Sequence, residues 1–402
     1  MKKSLLIVSH ALELGGAERS LIGLLHALDK EEWDIDLFLL RHEGKLMDEI
    51  PDYVNLLPQV SSYTVLARPM KTTLFEGHVL LTTARLLGKI AANNYAKKHG
   101  HTDSIVSLEY SHKFTCPFMP KIQSNKEYDL AISFLTPHYF VANKVQAKKK
   151  IAWIHTDYSK VQVNVESETR MWHAYDHIAS ISDAVTEGFV GVFPSLKDKI
   201  ILIENILPEK IVRKQAQEII TDMNRIGGEK ILLSIGRFSH AKNFDNVPDI
   251  CSRICQSGLN IKWYLIGYGG DETLIRKQIA EKGMEDKVII LGRKENPYPY
   301  IKACDLYVQP SRYEGKCVTV REAQMLGKPV VITNYSTSAS QLEDGIDGVI
   351  APLDNGGCAE GIIDVLKDNE RMNALSRNCE RRDYSNRFEV KKLTLLKKRK
   401  ND

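Results

Sequence analysis

The sequence predicts an α/β protein of two doubly wound domains, each a parallel sheet with helices on both faces, facing a cleft. Three observations lead there. The chain has 402 residues, and at about 100–200 residues per domain that length points to two domains. Short, nearly continuous apolar runs recur, which is how strands buried on both faces read. Each run is followed by a helical pattern, the alternation of a parallel sheet with crossover helices.

The runs justify the elements in order. In the first half they fall at 4–9, 33–40, 128–134, 150–156, 177–182 and 199–204. In the second half they fall at 230–236, 261–267, 287–292, 304–310, 328–334 and 348–352. Residues 61–127 interrupt the first series and read as an insertion, with a helical pattern near 78–98. "NILPEKIVRKQ" (205–215) reads as the link between halves. The expected division is therefore 1–205, 206–384 and a final segment, 385–402, crossing back to the first domain.

Composition excludes several classes. A net charge of +4 is too slight to argue for nucleic acid. The opening "MKKSLLIVS" has too brief an apolar run for a signal segment. No run of about 18 apolar residues occurs, so no membrane-spanning helix is expected. The seven cysteines lack metal-ligand spacing and fit reduced thiols of a cytoplasmic protein. No GxGxxG or GxxxxGK(S/T) motif, and no DxD in a suitable loop, marks a cofactor or metal, and none is expected.

In doubly wound sheets, ligands sit beyond the carboxyl ends of the strands. Candidate residues are therefore those just after each run. After 4–9, "GGAERS" places Gly15 and Gly16 at a turn opening a helix, where amide groups and the helix dipole favour an anion. The same pattern also suits a plain strand-to-helix turn. After 230–236, Arg237 and Lys242 are two cations suited to a diphosphate. His155 ends the run at 150–156, beside Asp157, and would serve either structure or chemistry. After 304–310, Glu314 stands in a loop, and Lys316, Cys317 and Val318 offer amides at a helix start. Glu322, one turn into that helix, could hold a pair of hydroxyls. Taken singly, each could be a plain surface charge.

Taken together, four ordered pieces resemble the retaining, nucleotide-sugar-dependent glycosyltransferases of family 4, of the GT-B type with two Rossmann-like domains. They are "GGAERS" (15–20), "GRFSHAKNF" (236–244), "LGRKENPYPYIKACDLYVQPSRYEG" (291–315), and Glu314 to Glu322 with "EAQMLGKPVV". The resemblance covers most of the chain and is strongest over 230–352. It implies that Gly16 packs against the donor diphosphate, which Arg237 and Lys242 bind. It implies that the backbone near Lys294 receives the base, that Glu314 touches the transferred sugar, and that Glu322 holds the ribose. His155 takes the place of the family's histidine near the reaction centre. Where many members have Phe-Gly or Phe-Pro after the Glu-Gly pair, this chain has Lys316 and Cys317, which leaves the donor sugar open.

The expected reaction is metal-independent transfer of a hexose, with retained configuration, from a nucleotide diphosphate (UDP by prior frequency) to a saccharide or lipid-linked saccharide in capsule or exopolysaccharide synthesis. A non-catalytic partner subunit of this fold, or a sugar-nucleotide epimerase, would be the competing readings. The end "RFEVKKLTLLKKRKND" sets Phe388, Leu393, Leu395 and Leu396 among lysines. It reads either as a solubilising tail or as a segment in peripheral contact with the inner membrane face.

Overall fold

The computed structural model describes residues 2–101 and 105–395. It divides into two compact units, one of residues 1–206 with 387–402, the other of residues 207–386. Each unit is built on one parallel sheet.

The strands of the first unit are β1 (Lys3–Ser9), β2 (Trp33–Leu39), β3 (Val54–Leu56), β4 (Leu130–Ser133), β5 (Lys150–Ile154), β6 (His177–Ser180) and β7 (Ile200–Leu202). Their spatial order is β3-β2-β1-β4-β5-β6-β7. β3 is absent from the sequence reading. It has three residues at the sheet edge, too few to show a period. Leu5, Leu6, Ile7 and Val8 are all buried, as expected of a strand covered on both faces. Between β3 and β4 the chain forms helices Ser61–Thr64, Met70–Phe75, Val79–His99 and Val106–Thr115.

The second unit contains β8 (Lys230–Ile235), β9 (Ile261–Ile266), β10 (Val288–Gly292), β11 (Leu306–Gln309), β12 (Val330–Thr333) and β13 (Val349–Ala351). Their order is β10-β9-β8-β11-β12-β13. Alternate residues feed two cores. Leu232, Trp263 and Leu265 pack on one face, while Ile231, Leu233, Tyr264 and Ile266 pack on the other. The strand order reverses between β8 and β11, which pair directly through Leu306 and Leu232. That reversal opens a crevice beyond the carboxyl ends of these two strands.

The loops leaving β8 and β9 are pressed together there. Gly236 N–H bonds Ile266 O at 3.0 Å, and Phe238 N–H bonds Tyr268 O at 2.9 Å. Gly267 has φ +155°, and a Cβ on it would collide with the carbonyl oxygen of Gly236. Gly267→Ala is expected to cost about 1–3 kcal/mol in chemical unfolding, because both the backbone and the space oppose a side chain. An unchanged midpoint would contradict this packing.

Candidate functional site

Lys242 and Glu314 meet at the reversal of the second sheet. Lys242 closes the short helical turn His240–Lys242 after β8, and Glu314 lies in the loop after β11. Lys242 Nζ is 2.5 Å from Glu314 Oε1, and the two side chains are only 18% and 12% exposed. Lys242 Nζ also lies 3.8 Å from Cys317 Sγ. Burial opposes the ammonium, but the sulfur of Cys317 and the carboxylate of Glu314 outweigh it and raise the lysine pKa. Burial also raises the Cys317 thiol. A Cβ at Gly236 would press on Lys242 Cε at 3.0 Å, so the glycine leaves room for the lysine stem.

A relay of buried polar groups fixes Glu314. Ser311 Oγ donates to Glu314 Oε1 at 2.6 Å, and Gln309 Nε2 donates to Ser311 Oγ at 2.9 Å. Thr337 Oγ1 donates to the Glu314 carbonyl at 2.8 Å. Arg312 then ties this loop to the one carrying Lys242. Its guanidinium grips both carboxylate oxygens of Asp245 at 2.9 and 2.7 Å and reaches His240 O at 2.7 Å. Such a two-pronged pair adds orientation as well as energy. Arg312, Thr337 and Asp245 carry no signal in the sequence, because each acts through a partner distant along the chain, and Ser311 carries none because a serine in a loop is common.

The other expected residues fall around this pair unequally. Arg237 is exposed and has no ion-pair partner among the described residues. Cys317 caps helix Val318–Met325, but its N–H already donates to Gln341 Oε1 at 2.8 Å. Of the three amides expected at this helix start, that one is engaged within the protein. Lys316 Nζ donates to Ser340 O at 2.7 Å. Glu322 is buried and accepts from Tyr298 OH at 3.0 Å. Lys294 pairs with Asp222 at 2.5 Å, and Tyr300 OH donates to the same carboxylate at 2.8 Å.

Gly16 and His155 belong to the first unit. Gly16 begins helix Gly16–Ala27, whose last residue before it, Gly15, lies under the Glu18 carboxylate. Burial raises the Glu18 pKa. This acid therefore sits at the helix start that the sequence assigns to an anion. His155 follows β5 with its ring 4.7 Å from Phe134. Burial lowers its pKa to about 3, so the ring is neutral at physiological pH. Its Nε2 is buried without a hydrogen-bond partner among the described residues. At the reversal between β1 and β4, His10 and His138 are likewise kept neutral by burial, with His10 lowered to about 4. Sequence reading passed over both.

Residues 215–382 match the family model for glycosyl transferases group 1. The match lies within the second unit. The Lys242–Glu314 pair and Glu322 all lie inside the matched segment. Among the curated relatives, a segment is 26% identical over 156 residues to the N-acetylgalactosamine-N,N'-diacetylbacillosaminyl-diphospho-undecaprenol 4-alpha-N-acetylgalactosaminyltransferase of Campylobacter jejuni, covering 38% of this chain and 42% of that protein. Another is 29% identical over 143 residues to the amylovoran biosynthesis glycosyltransferase AmsK of Erwinia amylovora, covering 34% of each chain. The chain thus spans less than half the length of these relatives. Similar solved structures include HepE of Anabaena with UDP-glucose (TM-score 0.64, 16% identity, 98% of this chain and 100% of that one). They also include S. aureus TarM with fondaparinux, alpha-GlcNAc-glycerol and UDP (TM-score 0.66, 14% identity, 98% and 99%). These likenesses establish the GT-B fold for the chain as a whole.

Proposed function

We propose that the protein is a retaining glycosyltransferase that moves a hexose from UDP to a saccharide or lipid-linked saccharide during cell-surface polysaccharide synthesis. The half-buried Lys242–Glu314 pair carries this reading, since it stands at the strand reversal of the sheet that the family model for glycosyl transferases group 1 matches. The UDP-glucose bound by HepE and the diphospho-undecaprenol in the name of the Campylobacter relative support the donor and acceptor classes.

In this mechanism the sugar C1–O bond to the β-phosphate breaks as the acceptor oxygen bonds C1 on the same face. The acceptor proton passes to the departing phosphate oxygen. The protein's task is to stabilise charge on that phosphate with groups already in place. Lys242 and Arg237 supply cations, and the helix Val318–Met325 supplies its amide end. Glu314 holds sugar hydroxyls and Glu322 the ribose. The neutral His155, with its unpartnered Nε2, offers a hydrogen bond near the reacting sugar. Cations of the chain take the place of a metal, so transfer is expected to persist in EDTA.

The test screens nucleotide sugars by thermal shift and then follows nucleoside diphosphate release. The true donor at about 100 Kd should add ~2.7 kcal/mol of stability. Release should require an acceptor and be insensitive to EDTA. Turnover of a donor without acceptor, giving an isomeric sugar nucleotide, would replace transfer with epimerisation.

A further inference from the structure

Helix Val79–His99 of the first unit is packed on one side only. It buries Leu81, Thr82, Ala84, Gly88 and Ala92. At 100° per residue, Val79, Leu80, Leu86, Leu87 and Ile90 share the opposite side. They are 56%, 59%, 47%, 53% and 49% exposed. The preceding helix Met70–Phe75 adds Phe75, 87% exposed. A bond of 2.9 Å between the Thr73 and Thr82 hydroxyls joins the two helices. Arg85 Nη1 donates to Val65 O and to Arg68 O, so the longer helix is anchored from below. Single exposed apolar residues need no explanation, but an apolar stripe held outward on a fixed helix does.

Charge identifies what covers it. Helix Val79–His99 contains no aspartate or glutamate. Lys71, Lys89, Lys97 and Lys98 are exposed and have no ion-pair partner among the described residues. By the same 100° rule, Lys97 and Lys98 continue the apolar face toward the helix end, while Lys89 flanks it. The nearby Glu76 is already paired with Arg68. No helix among the described residues is long and apolar enough to cross a membrane. An apolar stripe edged by lysines, without acids, on a helix too polar to span is the composition of a segment lying in a bilayer interface. Lysine stems can follow the apolar surface and place their ammonium groups among lipid phosphates.

We propose that the outward face of residues 70–98 docks the protein on an anionic lipid bilayer. This segment is distinct in sequence from the basic C-terminal tail, and its occupation needs no sugar donor, so it stands or falls apart from the donor reading. The experiment sediments the full chain with vesicles of phosphatidylcholine alone or with about 30% phosphatidylglycerol, at low and high salt. Binding is expected only with the anionic lipid, and salt should weaken it. Leu80→Ser with Leu87→Ser, and separately Lys89→Glu with Lys97→Glu, should each lower partitioning about tenfold or more. Because these side chains are exposed, the melting temperature and donor-induced thermal shift should be unchanged. Removing residues 396–402 should leave most binding in place. The proposal is overturned if the wild-type chain ignores anionic vesicles, or if both double variants bind as well as wild type. It is also overturned if tail removal alone abolishes binding, or if the chain is a stable dimer that the leucine variants dissociate.

Discussion

Lys242→Ala is expected to lower turnover by about 10²–10³, the usual cost of losing one preorganised donor to a developing oxyanion. It should also lower stability by ~3 kcal/mol, because Glu314 would be left buried without its counter-charge. The two losses can be separated. In Lys242→Ala with Glu314→Gln the stranded charge is gone, so stability should recover in part while turnover stays low. Arg237→Ala gives the contrasting case. Its side chain is exposed and unpaired, so stability should stay within about 0.5 kcal/mol of wild type while turnover falls by a similar order. Steady-state kinetics and denaturant midpoints on the same preparations decide the matter. Near-normal turnover in both single variants would remove these cations from the chemistry.

Glu168 in helix Val165–His173 of the first unit should lower stability as pH rises from about 4.5 to about 8, against the opposite contribution, below about 6.5, of His10, His138 and His155, which burial keeps neutral. This carboxyl is fully buried. Tyr158 OH and Trp172 Nε1 donate to Oε2 at 3.2 and 3.3 Å, while Oε1 has no partner among the described residues. Burial, and then the charge of Glu109, raise its pKa from 4.5 to about 8. Between those values the folded chain holds a proton that the unfolded chain has released, so each rise in pH favours unfolding. The contribution is complete below the lower value and lost above the upper one, and its span is on the order of 4 kcal/mol. Burial raises Glu109 in the same direction, so the pH-dependent gap between Glu168→Gln and wild type should carry most of this carboxyl contribution but not all of it. Urea midpoints at several pH values between about 5 and 8 test this. Parallel curves for the variant and wild type would show that Glu168 is ionised in the folded chain.

The placement of strands was legible because burial on both faces forces near-continuous apolar runs such as Leu5–Val8 and Ile231–Ile235. The edge strand β3 was not, because three residues carry no period. The acid-and-cation set was legible for a different reason. Doubly wound sheets place binding groups after the strands, and Arg237, Lys242 and Glu314 stand there in one dimension as well as in three. What could not be read was which of these groups engage one another. Glu314 stands in the loop after its strand, but only the folded chain pairs it with Lys242, 72 positions away. Cys317 was read as an amide donor to an anion, yet Gln341 takes that N–H. Glu18, Ser311, Arg312 and Asp245 gave no signal at all.

By itself, then, the sequence determined two parallel-sheet units, the helical insertion, and which residue types follow each strand, all of which depend on local burial and spacing. Only the tertiary structure decided the strand order that sets β8 beside β11, the ion pair that this adjacency creates, and the outward turn of the apolar side of helix Val79–His99. Those outcomes depend on contacts between segments far apart along the chain. Their energies come from desolvation and geometry at the meeting point, and neither is encoded in the residues nearby.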